Sequence, residues 1–250
     1  MDALKSAMLA ILIAGAPAFA DDAQHVPTRN ELARMQADAD GGNTPSQVYL
    51  GWVYETGFGV TQDYATAVTW YTKAAEQGDA QAQNNLGRMY STGEGVAKDY
   101  GKAVDWFRKA AEQGDLAAES NLGAAYMNGT GVPQNYDEAA KWNSRAAEQG
   151  VSIAEWNLGA QYLNGQGVPC DLIRAYVWMS LAADQGIARV KAYRDRIAER
   201  LTAEQKIEAE EQLQEKRASV RPASGLFHSS WNGYRSSGGG GGIIGGGGGR

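Results

Sequence analysis

Apolar side chains in the middle of the chain recur with the spacing of an amphipathic helix. Ala82, Leu86 and Tyr90 follow one another at intervals of four residues, which places all three on one helical face. On this basis we predict a helix from Ala80 to Ser91. It is followed by Gly93, and glycine commonly adopts the left-handed conformation that ends a helix.

A second apolar stripe follows directly and predicts a second helix. Ala103, Trp106 and Ala110 again lie on one face. Asp99 has the position of an N-cap, where its side chain can accept a hydrogen bond from a free backbone N–H of the first turn. Gly114 ends the stripe. The two segments therefore predict a helical hairpin in which each helix has one apolar face.

This hairpin recurs four times with a period of 36 residues. The repetition is clearest at a glycine and a tyrosine of the first helix and a tryptophan of the second: Gly51, Gly87, Gly123 and Gly159; Tyr54, Tyr90, Tyr126 and Tyr162; Trp70, Trp106, Trp142 and Trp178. Hairpins of this kind bury their apolar faces by stacking on their neighbours. We therefore divide residues 46–186 into four repeats, with bounds 46–81, 82–117, 118–153 and 154–186.

The glycine inside each first helix is unfavourable on its own, since glycine destabilises a helix interior by about 1 kcal/mol relative to alanine. The chain keeps it in all four repeats, for example at Gly87. The missing Cβ allows the first helix to approach its partner closely. We expect bulky tryptophan and tyrosine rings to fill the space that remains.

The segments on either side of the repeats are expected to cap the array. Residues 21–45 form the N-terminal capping segment, in which residues 30–39 are predicted as a degenerate second helix. Residues 187–217 are expected to form capping helices at the other end. Terminal units with a polar outer face keep such an array in solution. The predicted fold class is therefore all-α, with helix-turn-helix repeats between capping helices.

The repeat unit resembles a known family. The pattern A-x-x-N-L-G-x-x-Y-x-x-G-x-G-V-x-x-D-x-x-x-A-x-x-W-x-x-K-A-A-x-Q-G, which runs from Ala82 to Gly114, is similar to the Sel1-like repeat, a relative of the tetratricopeptide repeat. The resemblance implies a right-handed α-solenoid whose first helices line a concave groove. It also implies a scaffold or regulator, as in periplasmic relatives that restrain membrane sensor proteins.

Both ends of the sequence differ in composition from the repeats. Residues 1–20 contain Lys5, an apolar run, and Ala18 and Ala20 before an expected cleavage site, which is typical of a bacterial secretory signal. We expect export to the periplasm. Residues 218–250 are rich in glycine and are predicted to be disordered. Aromatic residues and arginines in this tail leave two readings open, a weak contact with the cell wall or no binding role.

Composition argues against several function classes. The formal net charge of −6 argues against nucleic acid as the main ligand, because phosphate binding requires a basic surface. No segment beyond the N-terminal signal is apolar enough to span a membrane. The two histidines, His25 and His228, lie outside the repeats, so we expect no histidine-based triad and no zinc cluster. The single cysteine, Cys170, cannot form an intramolecular disulfide. We predict no cofactor.

Positions that differ between the repeats are the candidates for binding, because stacking already explains the recurring ones. The most varied residues form a stripe on the first helix, opposite its recurring face. The residues expected to bind a partner are Trp52, Asn84, Arg88, Met127 and Trp156. Aromatic, methionine and arginine side chains are enriched in interface cores. The alternative is that each of them packs only against the next helix, and the sequence leaves both readings open.

We therefore predict a non-catalytic protein of the periplasm that binds a partner protein or peptide in the groove of a solenoid. The alternative is a cell-envelope carbohydrate-binding protein or hydrolase. It would use Trp52 and Trp156 as sugar platforms and groove carboxylates as catalytic groups. The sequence does not identify the partner.

Overall fold

The computed structural model describes residues 26–186 and 188–219. Within these ranges the chain forms eleven α-helices and no strand. In chain order they are α1 (Arg29–Asp40), α2 (Thr44–Thr56), α3 (Tyr64–Glu76), α4 (Ala80–Thr92), α5 (Tyr100–Glu112), α6 (Leu116–Asn128), α7 (Tyr136–Glu148), α8 (Ser152–Asn164), α9 (Leu172–Asp184), α10 (Ala188–Arg200) and α11 (Ala203–Ser219). The predicted all-α fold is confirmed. The predicted secretory signal lies outside the described residues, as does the predicted disordered tail from residue 220 onward. Residues 218 and 219, predicted as part of that tail, instead form the last residues of α11, because the capping helix continues beyond residue 217.

The helices stack in chain order as four hairpins. The A helices are α2, α4, α6 and α8, and each packs on the B helix that follows it, which is α3, α5, α7 or α9 respectively. Each of the first three B helices in turn packs on the next A helix. We call the contact between the first and second repeats the first joint, and the contact between the third and fourth repeats the third joint. Helix α1 covers the start of the array, and α10 and α11 both pack on α9 at its end.

The helix boundaries follow from caps at both ends. Asp99 precedes α5 and its carboxylate accepts a hydrogen bond from the backbone N–H of Lys102 at 3.0 Å. Gly93 follows α4 with φ +82°, in the left-handed region that suits glycine. Both caps agree with the sequence prediction. The fourth A helix differs, since its N-cap residue is Val151, which offers no side-chain hydrogen bond.

The glycine within each A helix marks the closest approach to its B helix. A Cβ at Gly87 would lie 2.7 Å from the Phe107 ring, and one at Gly51 would lie 2.5 Å from the Tyr71 ring. The equivalent contacts in the third and fourth repeats are with Asn143 and Met179. The predicted close approach is confirmed. The filling residue, however, is the one that follows the recurring tryptophan, and it changes from repeat to repeat.

A second glycine sets the distance between consecutive repeats. A Cβ at Gly95 would overlap the backbone carbonyl of Tyr64, the first residue of the preceding B helix. Gly131 and Gly167 meet Tyr100 and Tyr136 in the same way. In the first repeat, the equivalent Gly59 would meet Pro27, just before α1. The N-terminal segment therefore takes the place that the start of a B helix takes elsewhere in the array.

Candidate functional site

The A-helix stripe contains three positions from each A helix. These are Val48, Trp52 and Glu55 in α2; Asn84, Arg88 and Ser91 in α4; Ser120, Ala124 and Met127 in α6; and Trp156, Ala160 and Leu163 in α8. The first position is buried in α2, α4 and α6 and half-buried in α8. The second and third positions are half-buried throughout, apart from the buried Trp52. Any accessible surface along the stripe therefore comes mainly from its second and third positions.

Trp52 is packed into the N-terminal end of the array. Its side chain is 5% exposed, and its ring lies 5.7 Å from that of Tyr49 and 5.2 Å from that of Phe58. Leu32 of α1 belongs to the same apolar cluster. The indole Nε1 has no hydrogen-bond partner among the described residues. The ring therefore supports the stripe from beneath and offers no face for stacking.

Asn84 connects two A helices. It is 4% exposed, and its Oδ1 accepts a hydrogen bond from Asn121 Nδ2 at 3.0 Å. Buried amides that find a partner in this way stabilise a specific pairing, because the partner left alone would be an unsatisfied polar group. Asn84 therefore fixes how α4 lies against α6.

Arg88 lies at the centre of a charged cluster at the first joint. Its guanidinium is hydrogen-bonded to the Glu55 carboxylate of α2 and lies 3.6 Å from the Glu94 carboxylate. Tyr71 donates its hydroxyl to the second Glu55 oxygen at 2.8 Å. The Arg88 and Glu55 side chains are only 14% and 17% exposed, so this ion pair is largely shielded from water.

The cluster is held as a charged unit. Burial alone would lower the pKa of Arg88, but the neighbouring Glu55 carboxylate offsets this effect and raises that pKa above its ordinary value. Burial, followed by the Glu55 charge, raises the pKa of Tyr71 well above its ordinary value, so the phenol stays a hydrogen-bond donor. Glu94 is 36% exposed on its side chain and extends the cluster to the surface.

Sequence reasoning selected Arg88 but missed its partners. The available signal was a pair of opposite charges at neighbouring stripe positions of consecutive repeats, Glu55 in the first and Arg88 in the second. Tyr71 could not be found in this way, because its hydroxyl reaches Glu55 from the B helix of the first repeat.

Met127 and Trp156 lie toward the other end of the stripe and are both half-buried. The Met127 carbonyl accepts a hydrogen bond from Gln134 Nε2 at 2.8 Å, which ties the end of α6 to its following loop. The Trp156 ring meets the Tyr193 ring of α10 edge-on, with centroids 5.0 Å apart, and the Arg189 guanidinium lies 5.9 Å from it. The C-terminal cap therefore covers part of Trp156, whereas Met127 belongs to the middle of the array.

The five residues selected from the sequence do not form one pocket. They are distributed along the stripe over all four repeats, two of them buried and three half-buried. Across residues 26–186 and 188–219, no group of histidine, cysteine, aspartate and glutamate is arranged to hold a metal ion. A bilayer crossing would require a longer and more apolar helix than any found in those same ranges.

Comparisons with known proteins agree with the repeat bounds seen in the helices. The sequence matches the Sel1 repeat family at residues 44–79, 80–115, 116–151 and 152–187. The chain is similar to a protective antigen of uropathogenic Escherichia coli strains with an SLR fold, at 35% identity and a TM-score of 0.72. That match covers 88% of this chain and 46% of the antigen's chain, so this chain spans about half the length of that relative.

A second solved structure is similar over most of both chains. It is a Sel1 repeat protein from Oxalobacter formigenes, with 34% identity and a TM-score of 0.61, and the match covers 75% of this chain and 74% of that one. No curated protein matches the sequence.

Proposed function

We propose that this chain, which belongs to the Sel1 repeat family, holds a protein or peptide partner along its A-helix stripe and has no catalytic role. Proteins of this family generally mediate protein–protein interaction. In this reading the recurring residues hold the repeats together, and the half-buried stripe positions face the partner.

The observation that carries the proposal is the change in chemistry along the stripe. Its second and third positions stay half-buried in every repeat except at Trp52, yet their residues differ. Charged groups, Arg88 with Glu55, lie at the first joint. Apolar groups, Met127 and Leu163, lie in the third and fourth repeats. Such a surface fits an extended segment that places a polar or basic residue at one end and apolar residues at the other.

The five selected residues take different roles in this proposal. Arg88, Met127 and Trp156 face the partner. Trp52 and Asn84 lie beneath the surface and hold the A helices in place, consistent with exposures of 5% and 4%. Residues of the second kind affect binding only through the position of their neighbours.

We also propose that the protein acts in the bacterial periplasm. The support is the sequence pattern of residues 1–20, with Lys5, an apolar run and small residues at the expected cleavage site. Cell fractionation with an antibody against the repeats tests this. Recovery of the protein only with cytoplasmic markers would contradict it.

The binding proposal is tested by placing a charge at the apolar end of the stripe. Met127→Glu keeps the side chain half-exposed while removing its apolar contact, so we expect it to release partners that wild-type protein captures from envelope extract. Ile207→Glu replaces an exposed apolar residue of α11 and serves as the matched control, because it introduces the same single negative charge. Retention of every captured protein by Met127→Glu would exclude this part of the stripe as the binding site.

The carbohydrate alternative gains no support from the aromatic residues proposed for it. Trp52 is covered by Tyr49 and Phe58, so its ring presents no free face of the kind that stacks on a sugar, and the edge-on contact with Tyr193 covers part of Trp156. An assay of the purified protein on peptidoglycan, beside the capture experiment, separates the two functions. Release of soluble sugars from peptidoglycan by the purified protein would favour the alternative.

A further inference from the structure

A buried polar contact recurs inside the hairpins at the fourth residue of the A helix. In three of the repeats, the glutamine that directly follows the B helix donates a side-chain N–H to this residue. Gln77 donates to Gln47 at 2.7 Å, Gln113 donates to Gln83 at 2.8 Å, and Gln185 donates to Glu155 at 2.9 Å.

In the first two repeats the fourth residue is a glutamine that also donates a hydrogen bond. Gln83 Nε2 donates to the backbone carbonyl of Ala75 at 3.1 Å, and Gln47 Nε2 donates to that of Ala39 at 2.9 Å. Ala75 belongs to the preceding B helix, so this bond crosses the first joint. The glutamine thus satisfies one acceptor and one donor at the same time.

In the last two repeats the fourth residue is a glutamate. The group to which a glutamine would donate, a backbone carbonyl of the preceding B helix, is present in these repeats too. Glu119 and Glu155 are 2% and 1% exposed. Stepping by the repeat period, the carbonyls equivalent to that of Ala75 belong to Ala111 and Ala147. An ionised carboxylate accepts hydrogen bonds but cannot donate one, so it cannot bind a carbonyl oxygen.

The two glutamates differ in what surrounds them. Glu119 Oε1 lies 2.7 Å from the Arg145 guanidinium, which offsets part of its charge. Its Oε2 is buried with no hydrogen-bond partner among the described residues, and burial raises the pKa of Glu119 despite the neighbouring arginine. Glu155 accepts from Gln185 on Oε2, and its Oε1 is buried with no hydrogen-bond partner among the described residues. An oxygen in this position can bond to the equivalent carbonyl, that of Ala147, only if it carries a proton.

The groups around Glu155 supply no positive charge. From the end of α9 the Asp184 carboxylate acts on it, and Asp184 is itself paired with Arg217 at 2.8 Å. From α7 and the following turn the elements that face it offer backbone carbonyls, and that of Gly150 accepts from Gln185. No cation in the described part of the chain lies within ion-pair distance of Glu155. Burial first, and the Asp184 charge in addition, raise the pKa of Glu155 to about 8.

We propose that Glu155 is held as the neutral acid and donates its proton to the Ala147 carbonyl, as Gln83 donates to Ala75, and that its ionisation loosens the third joint. The side chain then acts as a glutamine at neutral pH and as an unsatisfied buried charge in alkaline solution. The chain thereby carries a pH-sensitive contact at the third joint, while the first joint, with Gln83, has none at this position.

The direction of the pH effect follows from the raised pKa. The folded state keeps the proton between the ordinary glutamate value of 4.5 and the folded value of about 8, whereas the unfolded chain releases it. The contribution of Glu155 to stability is therefore complete below about 4.5 and is lost as pH rises through about 8.

Thermal unfolding between pH 5 and pH 9 tests the proposal with Glu155→Gln, which restores the residue of the first two repeats. Relative to this variant, the melting temperature of the wild type should fall by about 3 °C per pH unit up to pH 8 and then level off. Gln83→Glu should introduce a comparable slope at the first joint. Wild-type and Glu155→Gln melting temperatures that stay parallel across this range would overturn the proposal.

A direct measurement keeps the proposal testable if a variant folds poorly. The carboxyl carbon of Glu155 in the wild-type protein, followed by NMR with labelled glutamate, should titrate near pH 8, and its resonance is assigned by its absence in Glu155→Gln. Amide protection factors in α8 should fall above that pH in the wild type and not in the variant. A Glu155 carboxyl that titrates below pH 6 would overturn the assignment of a neutral acid.

Discussion

The first and third joints are equivalent contacts in the array of repeats, but different side chains form them. At the first joint Tyr71 and Met89 are both fully buried, and the Tyr71 hydroxyl reaches the Glu55 carboxylate that pairs with Arg88. At the third joint the positions equivalent to Tyr71 and Met89 hold Asn143 and Gln161, which are also fully buried. Asn143 Nδ2 donates to Gln161 Oε1 at 2.9 Å.

This difference shows that the stacking of repeats does not prescribe which side chains fill a joint. A joint requires that its two sides fill the same volume and satisfy each other's polar groups, and either an ion pair or a pair of amides can do so. A buried charge, however, must be balanced by an opposite charge. At the first joint Glu55 balances Arg88, and Glu94 adds a second negative charge at the surface. The amide pair carries no charge to balance. Gln161 Nε2 donates to the Tyr136 carbonyl at 3.2 Å inside the stack, and Asn143 Oδ1 is left without a hydrogen-bond partner among the described residues.

The largest effect is expected from breaking the charged joint. Glu55→Ala leaves the Arg88 guanidinium buried with only the more distant Glu94 to compensate it, and we expect it to lower the free energy of unfolding by about 3 kcal/mol. Equilibrium denaturation in urea measures this loss. Combining Glu55→Leu and Arg88→Met with Tyr71→Phe, which removes the hydroxyl that donates to Glu55, should recover most of it, since an apolar set needs no compensation. An unchanged stability of Glu55→Ala would show that the pair contributes little to the joint.

A smaller loss is expected at the third joint, where no charge is buried. Asn143→Ala removes the donor to Gln161 Oε1 and leaves that oxygen unsatisfied, at a loss of about 2 kcal/mol measured in the same way. The second joint supplies the rescue, because it has Phe107 and Ala125 at these positions. Asn143→Phe combined with Gln161→Ala should therefore restore the stability. If the double variant were less stable than Asn143→Ala, the joints would not be interchangeable.

The smallest effect concerns the contact within a hairpin, here that of the second repeat. Gly87→Ala would place a Cβ 2.7 Å from the Phe107 ring and 3.0 Å from the Ala103 carbonyl, so we expect a net loss of about 1 kcal/mol after the gain in helix propensity. Gly101→Ala is the matched control, because its Cβ would meet only Asp99 Oδ1 at 3.4 Å. That variant should be as stable as the wild type or more stable. Equal effects of the two substitutions would contradict the close-approach explanation.

The fold could be predicted from the sequence because helical spacing and helix caps are patterns of residues close together in the chain. The spacing of Ala82, Leu86 and Tyr90 predicted α4 to within one residue of its end, and Asp99 and Gly93 marked the neighbouring caps. Each of these signals depends on residues within one or two helical turns of one another. The glycine inside the A helix likewise indicated a close contact, since a helix keeps such a residue only for a steric reason.

The candidate site was less predictable because its properties depend on contacts between repeats. The sequence placed Trp52, Asn84, Arg88, Met127 and Trp156 on one stripe, and it could not show that the N-terminal cap covers Trp52 or that Asn121 satisfies Asn84. No local signal in the sequence singles out Glu155 among the glutamates of the repeats. Its burial, and the absence of a cation beside it in the described residues, appear only when α7, α8 and α9 are stacked.

The helices, their caps, the repeat period and the family follow from the pattern of residues along the chain, because periodic burial and capping act over a few residues and recur four times. Which stripe residues reach the surface and which charges are compensated become visible only when the repeats are stacked. Side-chain exposure and pKa depend on the atoms of neighbouring repeats, and the residues that supply these atoms differ from one repeat to the next.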